Sequence, residues 1–334
     1  MRHKKFFSLS FILIFILSSS CQFKIYAQDQ NILNSEAVIA WGTKGTTDIL
    51  FRTLLKYVDG SKYNLKITPV NKTGFAGAYA TNYVNNQESN GKYLLINAEN
   101  PPLYEFLGYG NLDYDNFECI LLIATDIVAI ISPVDSEWHT FSEIVEASRA
   151  GRKITMSITN VGGLSWNAVS VLQPYTKTYF IQEWYQTDSL AVSAVFENEA
   201  DFTFSKIQLA REATRNGRAK ILAILSDKEF PGVKARLITE DFPEFKKCLP
   251  WGPFYGIFIK KGTDPEIISR YKQAFKEAYE NEEYQKYLKS CFTIPLGLQG
   301  EEANEYINKW KSNTLSILKN SMLNMNFKFN RIGK

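Results

Sequence analysis

Apolar residues fall into two rhythms along this chain. Short solid runs read as buried strands, and stripes at three- and four-residue spacing read as helices. Ala37-Val38-Ile39-Ala40-Trp41 is a strand-like run that ends in Gly42. The turn sequence Gly42-Thr43-Lys44-Gly45-Thr46-Thr47-Asp48 follows. Leu50, Leu54 and Tyr57 then mark one helical face, widened by Phe51, Leu55 and Val58. Residues 65–70 predict a second strand, 76–84 a helix and 93–97 a third strand. This β-α-β-α-β alternation implies a largely parallel sheet covered by helices.

The pattern continues with a long apolar run, 120–131, closed by Pro133. Residues 140–150 predict an amphipathic helix with Phe141, Ile144 and Val145 on one face, capped by Thr140 or Ser142 and stopped by Gly151. A strand at 153–159 leads into Asn160-Val161-Gly162-Gly163 and a helix from Ser165 to 172. A helix at 189–196 and strands at 200–204 and 221–225 follow, and 255–259 is again apolar. Thr263-Asp264-Pro265-Glu266 is a helix start, with a capping residue, proline in the first helical position and then an acid. A last helix is expected after Glu301.

The N-terminus has a different pattern. Arg2-His3-Lys4-Lys5 precede a mostly apolar run at 6–17, too short for a spanning helix of about 20 residues. This is a signal-peptide arrangement, placed at 1–27. Two processing outcomes compete. Ile25-Tyr26-Ala27 suits cleavage before Gln28, whereas Ser18-Ser19-Ser20-Cys21 resembles a relaxed lipoprotein box that would anchor the chain through Cys21. Either outcome places the protein outside the cytoplasm.

Charge and composition then remove several function classes. The formal charge is +3, but Arg2, Lys4, Lys5 and Lys24 lie in the signal segment, leaving 34 basic against 35 acidic residues. A near-neutral body argues against nucleic-acid binding. His139 is the one histidine outside the signal segment, so histidine-based catalysis or metal binding has little material. Cys21, Cys119, Cys248 and Cys291 show no CxxC spacing, and the last three are expected as buried free thiols.

Chemistry concentrates in two glycine loops, 42–47 and 159–165, each between a predicted strand and a helix start. Unpaired N–H groups at a helix N-terminus carry partial positive charge, and glycine lets an anion approach them closely. Such loops also serve simply as helix caps. Neither matches a P-loop or GxGxxG, so no nucleotide cofactor is expected. Candidate ligand-binding residues are Trp41, Thr43, Lys44, Gly45, Thr46 and Thr47 in the first half, and Thr159, Asn160, Gly162, Gly163, Ser165 and Ser205 in the second. Trp41 either lines a cleft or packs beneath it, as does Trp166. Asp48 either orients the first loop or just stabilises a first helical turn. Asp201 reads as a structural cap.

The ordered set of segments resembles the extracytoplasmic substrate-binding proteins of tripartite tricarboxylate transporters. Residues 38–48 are similar to the family's first strand and its glycine-rich loop ending in Thr-Asp. Asn71-Lys72-Thr73-Gly74-Phe75-Ala76-Gly77, Gly91-Lys92-Tyr93-Leu94-Leu95, Phe254-Tyr255-Gly256-Ile257-Phe258 and Lys261-Gly262-Thr263 resemble further family segments. The resemblance implies an α/β, two-lobed periplasmic-binding-protein type II fold with a ligand cleft between the lobes. Lobe one would comprise 28–130 and 254–334, and lobe two 131–253. It also implies a monomer that captures a small organic acid, a carboxylate, mostly through backbone groups, and delivers it to membrane transporter subunits, with no cofactor, metal or catalysis. Lys44 stands where the family has glycine, Thr73 where it has proline, and Asn160 and Leu164 interrupt the second loop, so the specificity of known members is not carried over. A ligand-presenting receptor for a sensor, or an enzyme acting on carboxylates, are the alternative readings; GxSxG is absent.

Overall fold

The structure, a computed structural model, describes residues 32–332, with side chains described through 319. The expected signal segment and Cys21 lie outside the described residues.

The first part of the fold runs β1 (Leu33–Ile39), α1 (Thr46–Leu55), β2 (Leu65–Asn71), α2 (Ala78–Asn85), β3 (Tyr93–Asn97), α3 (Tyr104–Leu107) and β4 (Phe117–Thr125). The second runs β5 (Val128–Pro133), α4 (Phe141–Arg149), β6 (Thr155–Ile158), α5 (Leu164–Thr176), β7 (Ile181–Trp184), α6 (Asp188–Phe196), β8 (Thr203–Lys206), α7 (Ile207–Arg215), β9 (Ala219–Ile224) and α8 (Ile238–Asp241). The chain then returns through β10 (Phe254–Lys260), α9 (Pro265–Glu280), α10 (Glu282–Ser290), β11 (Ile294–Leu298) and α11 (Gly300–Ile332).

The strands form a six-stranded sheet of order β11-β4-β10-β3-β1-β2, a three-stranded sheet β8-β5-β9 and a pair β6-β7. β1 is parallel to β2 and β3, as the alternation predicts. The sheet as a whole is mixed, because β10 runs antiparallel to both β3 and β4. That strand re-enters from the opposite direction, after the excursion through the second set of strands. A bridge between Met156 and Phe202 joins the β6-β7 pair to the strand segment beside β8.

The apolar run 120–131 is divided between two strands, β4 and β5. The chain leaves the first sheet after Thr125 and enters the second at Val128. At the pivot, the Asp126 N–H donates to the Pro253 carbonyl at 2.9 Å, and the Tyr255 hydroxyl donates to the Asp126 carboxylate. The two crossovers approach so closely here that a Cβ on Gly252 would lie 2.2 Å from the Asp126 carbonyl oxygen.

Leu50, Phe51 and Leu54 of α1 share one core with Tyr271 and Phe275 of α9 and Tyr284 of α10, against one face of the six-stranded sheet. Full burial of such side chains contributes about 1.5–3 kcal/mol each. α4 starts as its sequence predicts: Thr140 Oγ1 accepts from the Glu143 N–H at 3.2 Å, and Glu143 accepts in return from the Thr140 N–H. α11 packs on both β4 and α5. It is pinned near the crossover, where Trp310 Nε1 donates to the Gly252 carbonyl at 3.0 Å and Trp251 Nε1 donates to Thr314 Oγ1 at 3.2 Å. Cys119, Cys248 and Cys291 are free and buried. Among the described residues, no helix is long and apolar enough to cross a membrane.

Candidate functional site

The two glycine loops are near-copies of one another. In the first, the Gly45 N–H donates back to the Gly42 carbonyl at 3.1 Å, and in the second the Gly163 N–H donates to the Asn160 carbonyl at 2.7 Å. The third residue of each turn is left-handed: Lys44 at φ 66° and Gly162 at φ 84°. Each turn ends on a glycine N-cap of almost the same conformation, φ −72°, ψ 160° at Gly45 and φ −73°, ψ 168° at Gly163. Neither cap has a side-chain hydrogen bond. By contrast α4, α6, α9 and α10 carry side-chain caps. The first-turn N–H groups of α1 and α5 are therefore left without a capping oxygen, the arrangement that suits an anion.

A buried polar group holds the first turn in place. Asp48 accepts from the Lys44 N–H at 3.1 Å, from Asn71 Nδ2 at 2.8 Å and from Arg52 Nε at 2.7 Å. Burial raises the Asp48 carboxyl, but the bonds from Asn71, Arg52 and Lys44 outweigh it and hold its pKa below the usual value. Asn71 also donates to the Trp41 carbonyl at 2.8 Å, and Trp41 Nε1 donates to Asn97 Oδ1 at 2.9 Å. The second turn is held by Ser165, whose Oγ accepts from the Thr159 N–H at 2.9 Å.

Three side chains reach from one set of strands to the other. Lys206 Nζ, at the end of β8, donates to Thr46 Oγ1 at the start of α1, 3.0 Å away. Asn100 Nδ2, just after β3, donates to the Gly162 carbonyl at 2.7 Å. The Tyr109 hydroxyl donates to the Val161 carbonyl at 3.3 Å. Asn167, in the first turn of α5, also donates to Gly162 O, at 3.0 Å. Each turn region is thus bonded to a side chain from the other set of strands.

Two buried acids lie near Lys206. Glu99 and Asp126 are both buried, at 6% exposure each. Burial pushes Glu99 up to about 7, Lys206 pulls it down, and Asp188 and Asp126 add to the rise. Asp126 is likewise raised by burial, against Lys206 and the Tyr255 hydrogen bond.

The sequence candidates take different places around these turns. Gly45, Thr46, Thr47, Thr159, Gly162, Gly163 and Ser165 make up the two turns and helix starts. Thr43, Lys44 and Asn160 are exposed at their rims. Trp41 and Trp166 are half-buried and packed on the core. Ser205 is fully buried, its Oγ donating to the Lys206 carbonyl at 3.2 Å. Asp201 is a structural pin, accepting from the Thr155 N–H at 2.8 Å. Sequence reasoning missed Glu99, Asn100, Asp126 and Lys206. Glu99-Asn100 directly after a strand predicted to be parallel was a usable signal, since ligands in open α/β sheets bind beyond the carboxyl ends of strands. Two surface cavities, of about 250 and 240 Å³, lie elsewhere, beside Trp138 and beside Phe106.

Two α/β lobes joined by adjacent crossovers define the two-lobed periplasmic-binding-protein fold of type II. Within it, the chain belongs to the family described as tripartite tricarboxylate transporter family receptor, whose profile matches residues 65–322. Protein BugT of Bordetella pertussis is 20% identical over 281 residues, covering 82% of this chain and 84% of that protein. Among solved structures, R. palustris Rpa4515 with adipate superposes with a TM-score of 0.74 at 15% identity, over 86% of this chain and 97% of its own. MatC from Rhodopseudomonas palustris with bound malate gives 0.70 at 16% identity, with the same coverage. At these identities the structural likeness defines the fold.

Proposed function

We propose that this receptor works outside the cytoplasm, captures a small carboxylate between its two lobes and delivers it to the membrane subunits of a tripartite tricarboxylate-type transporter. The observation that carries this reading is the pair of matched glycine turns. Each presents a helix start whose N–H groups no side chain caps, one from each lobe. A carboxylate seated between them would accept from both and draw the lobes together. Gly45, Thr46 and Thr47 would serve from one side, and Gly163 and Ser165 from the other, with Lys206 adding a cation at the first helix start. The adipate and malate in the two R. palustris structures support the ligand class. The basic and apolar segment at 1–17 supports export.

The lobes would exchange at 126–127 and 252–253. The first position is slightly before the boundary near 130 expected from sequence, because β5 pairs wholly within the second lobe's sheet. No catalytic role is assigned. The test is a thermal-shift screen against mono-, di- and tricarboxylates of two to seven carbons. A ligand present at about 100 times its Kd raises stability by roughly 2.7 kcal/mol. A screen in which no carboxylate shifts the melt would contradict the reading.

A further inference from the structure

We propose that residues 161–162 of the second turn form a latch, gripped by three segments of the first lobe, that keeps the two lobes engaged when no ligand is bound. Asn100 and Tyr109 are its positioning residues. The latch goes beyond the carboxylate reading above and does not depend on it.

Four contacts converge on this short stretch of backbone. Asn100 Nδ2 donates to the Gly162 carbonyl at 2.7 Å, and the Tyr109 hydroxyl donates to the Val161 carbonyl at 3.3 Å. Gly162 is approached so closely that a Cβ there would lie 2.8 Å from Leu107 Cδ1 and 3.6 Å from Ala76 Cβ. Glycine at 162 therefore serves the approach of the first lobe as well as its own left-handed φ of 84°. Ala76, Asn100 and Leu107 come from three separate segments, and all of them meet this one residue.

The first lobe carries backbone strain at the contact. Residues 74–77 have four successive positive φ values, 140°, 50°, 51° and 90°, and the middle two belong to Phe75 and Ala76. Side chains disfavour that region, and such strain persists only where the surroundings over-determine it. Here the Tyr104 hydroxyl donates to the Ala76 carbonyl at 3.1 Å, and buried Asn97 donates to the Tyr104 hydroxyl at 3.3 Å. Exposed Phe75 stands edge-on to the Tyr109 ring, with centroids 6.1 Å apart. The strained loop thus carries Ala76 to Gly162 and Phe75 to the tyrosine that holds Val161.

The latch and the anion site use opposite ends of peptide groups. The latch takes the carbonyls of 161 and 162, whereas an anion takes the N–H groups of the helix start that follows. Both can be occupied at once, so the ligand completes a closure that the latch has begun. Asn167, in the second lobe, also donates to the Gly162 carbonyl, at 3.0 Å. That carbonyl keeps a partner when the latch opens, which spares the penalty of an orphaned acceptor and makes opening reversible.

The test is the interlobe distance of the full protein, measured by electron paramagnetic resonance between spin labels at Glu88→Cys and Glu146→Cys, both exposed and one in each lobe. The protein is first refolded from denaturant to strip any bound ligand. Ligand-free protein is expected to show mainly one short distance. Asn100→Ala combined with Tyr109→Phe should raise a longer population roughly tenfold relative to the short one, the size of two lost hydrogen bonds. Tyr109→Phe alone, which removes a single half-buried hydroxyl, should raise it about threefold. A melting curve checks that each variant is folded. The latch is overturned if ligand-free native protein already shows the longer population to the same extent as the folded variants, or if native protein and variants all keep the short distance. Either result leaves the carboxylate reading standing. Distances that follow the expected pattern but a melt that no carboxylate shifts would uphold the latch and contradict that reading.

Discussion

Lys44 sits at the left-handed position of the first turn, where the matching residue of the second turn is Gly162. A side chain there is strained, by about 1–2 kcal/mol for most residues, while glycine is not. Its anchoring bond to Asp48 comes from the backbone N–H and survives any substitution except proline. Lys44→Gly should therefore stabilise the protein by roughly 0.5–1 kcal/mol after the extra chain entropy of glycine is counted. Denaturant melts would show it, and an unchanged or lowered midpoint would remove the strain. Glu99 makes a second prediction at this scale. Its folded pKa is about 7 against an ordinary 4.5. Below pH 4.5 both states hold the proton. Between 4.5 and 7 the unfolded chain loses it and the folded protein keeps it, so stability falls as pH rises, then levels off above 7. Relative to Glu99→Gln, the native protein should lose on the order of 3 kcal/mol across that window. A constant difference between the two would contradict the burial of an unpaired acid. Glu99 is marked in the sequence only by its place after a parallel strand, and Lys206 by nothing local. Lys206 meets Thr46 only once the folded path joins positions 160 residues apart.

At the scale of elements, the strand–turn–helix unit is the working part. Its existence is legible twice over, in the apolar strand, the glycine turn and the helical stripe. The matched geometry of the two turns is not, since Gly42-Thr43-Lys44-Gly45 and Asn160-Val161-Gly162-Gly163 share only their final residue. The run 120–131 shows only as one long apolar stretch because periodicity cannot see a pivot, although Asp126 is the polar residue marking it. β7 escapes the pattern for a different reason: all four of its residues are exposed, so it carries no buried signal. The turns predict a clean contrast. A Cβ on Gly163 would lie 2.4 Å from Thr159 Oγ1 and 2.9 Å from the Asn160 carbonyl, whereas one on Gly42 meets nothing within 4 Å. Gly163→Ala should thus distort the second turn and abolish the ligand-induced melting shift, while Gly42→Ala keeps it. The same shift in both variants would place the anion away from the second turn.

Across the whole molecule, the turns gain meaning from their opposition. The family resemblance anticipates two lobes, and the six-stranded sheet with its separate three-stranded partner bears this out. The contacts across the cleft rest on side chains contributed by segments far apart in sequence, which no local pattern encodes. α11 crosses from β4 to α5 and is tied at the crossover by Trp310 and Trp251, so it spans both lobes near their pivot. The central claim is that a carboxylate is held by both helix starts at once. It is tested most directly by titrating a carboxylate that binds into isotope-labelled protein and following the backbone amide resonances. The account predicts saturable downfield shifts of the Thr46, Thr47, Leu164 and Ser165 amide protons with a single shared Kd. Shifts confined to one helix start, or absent from both, would contradict it.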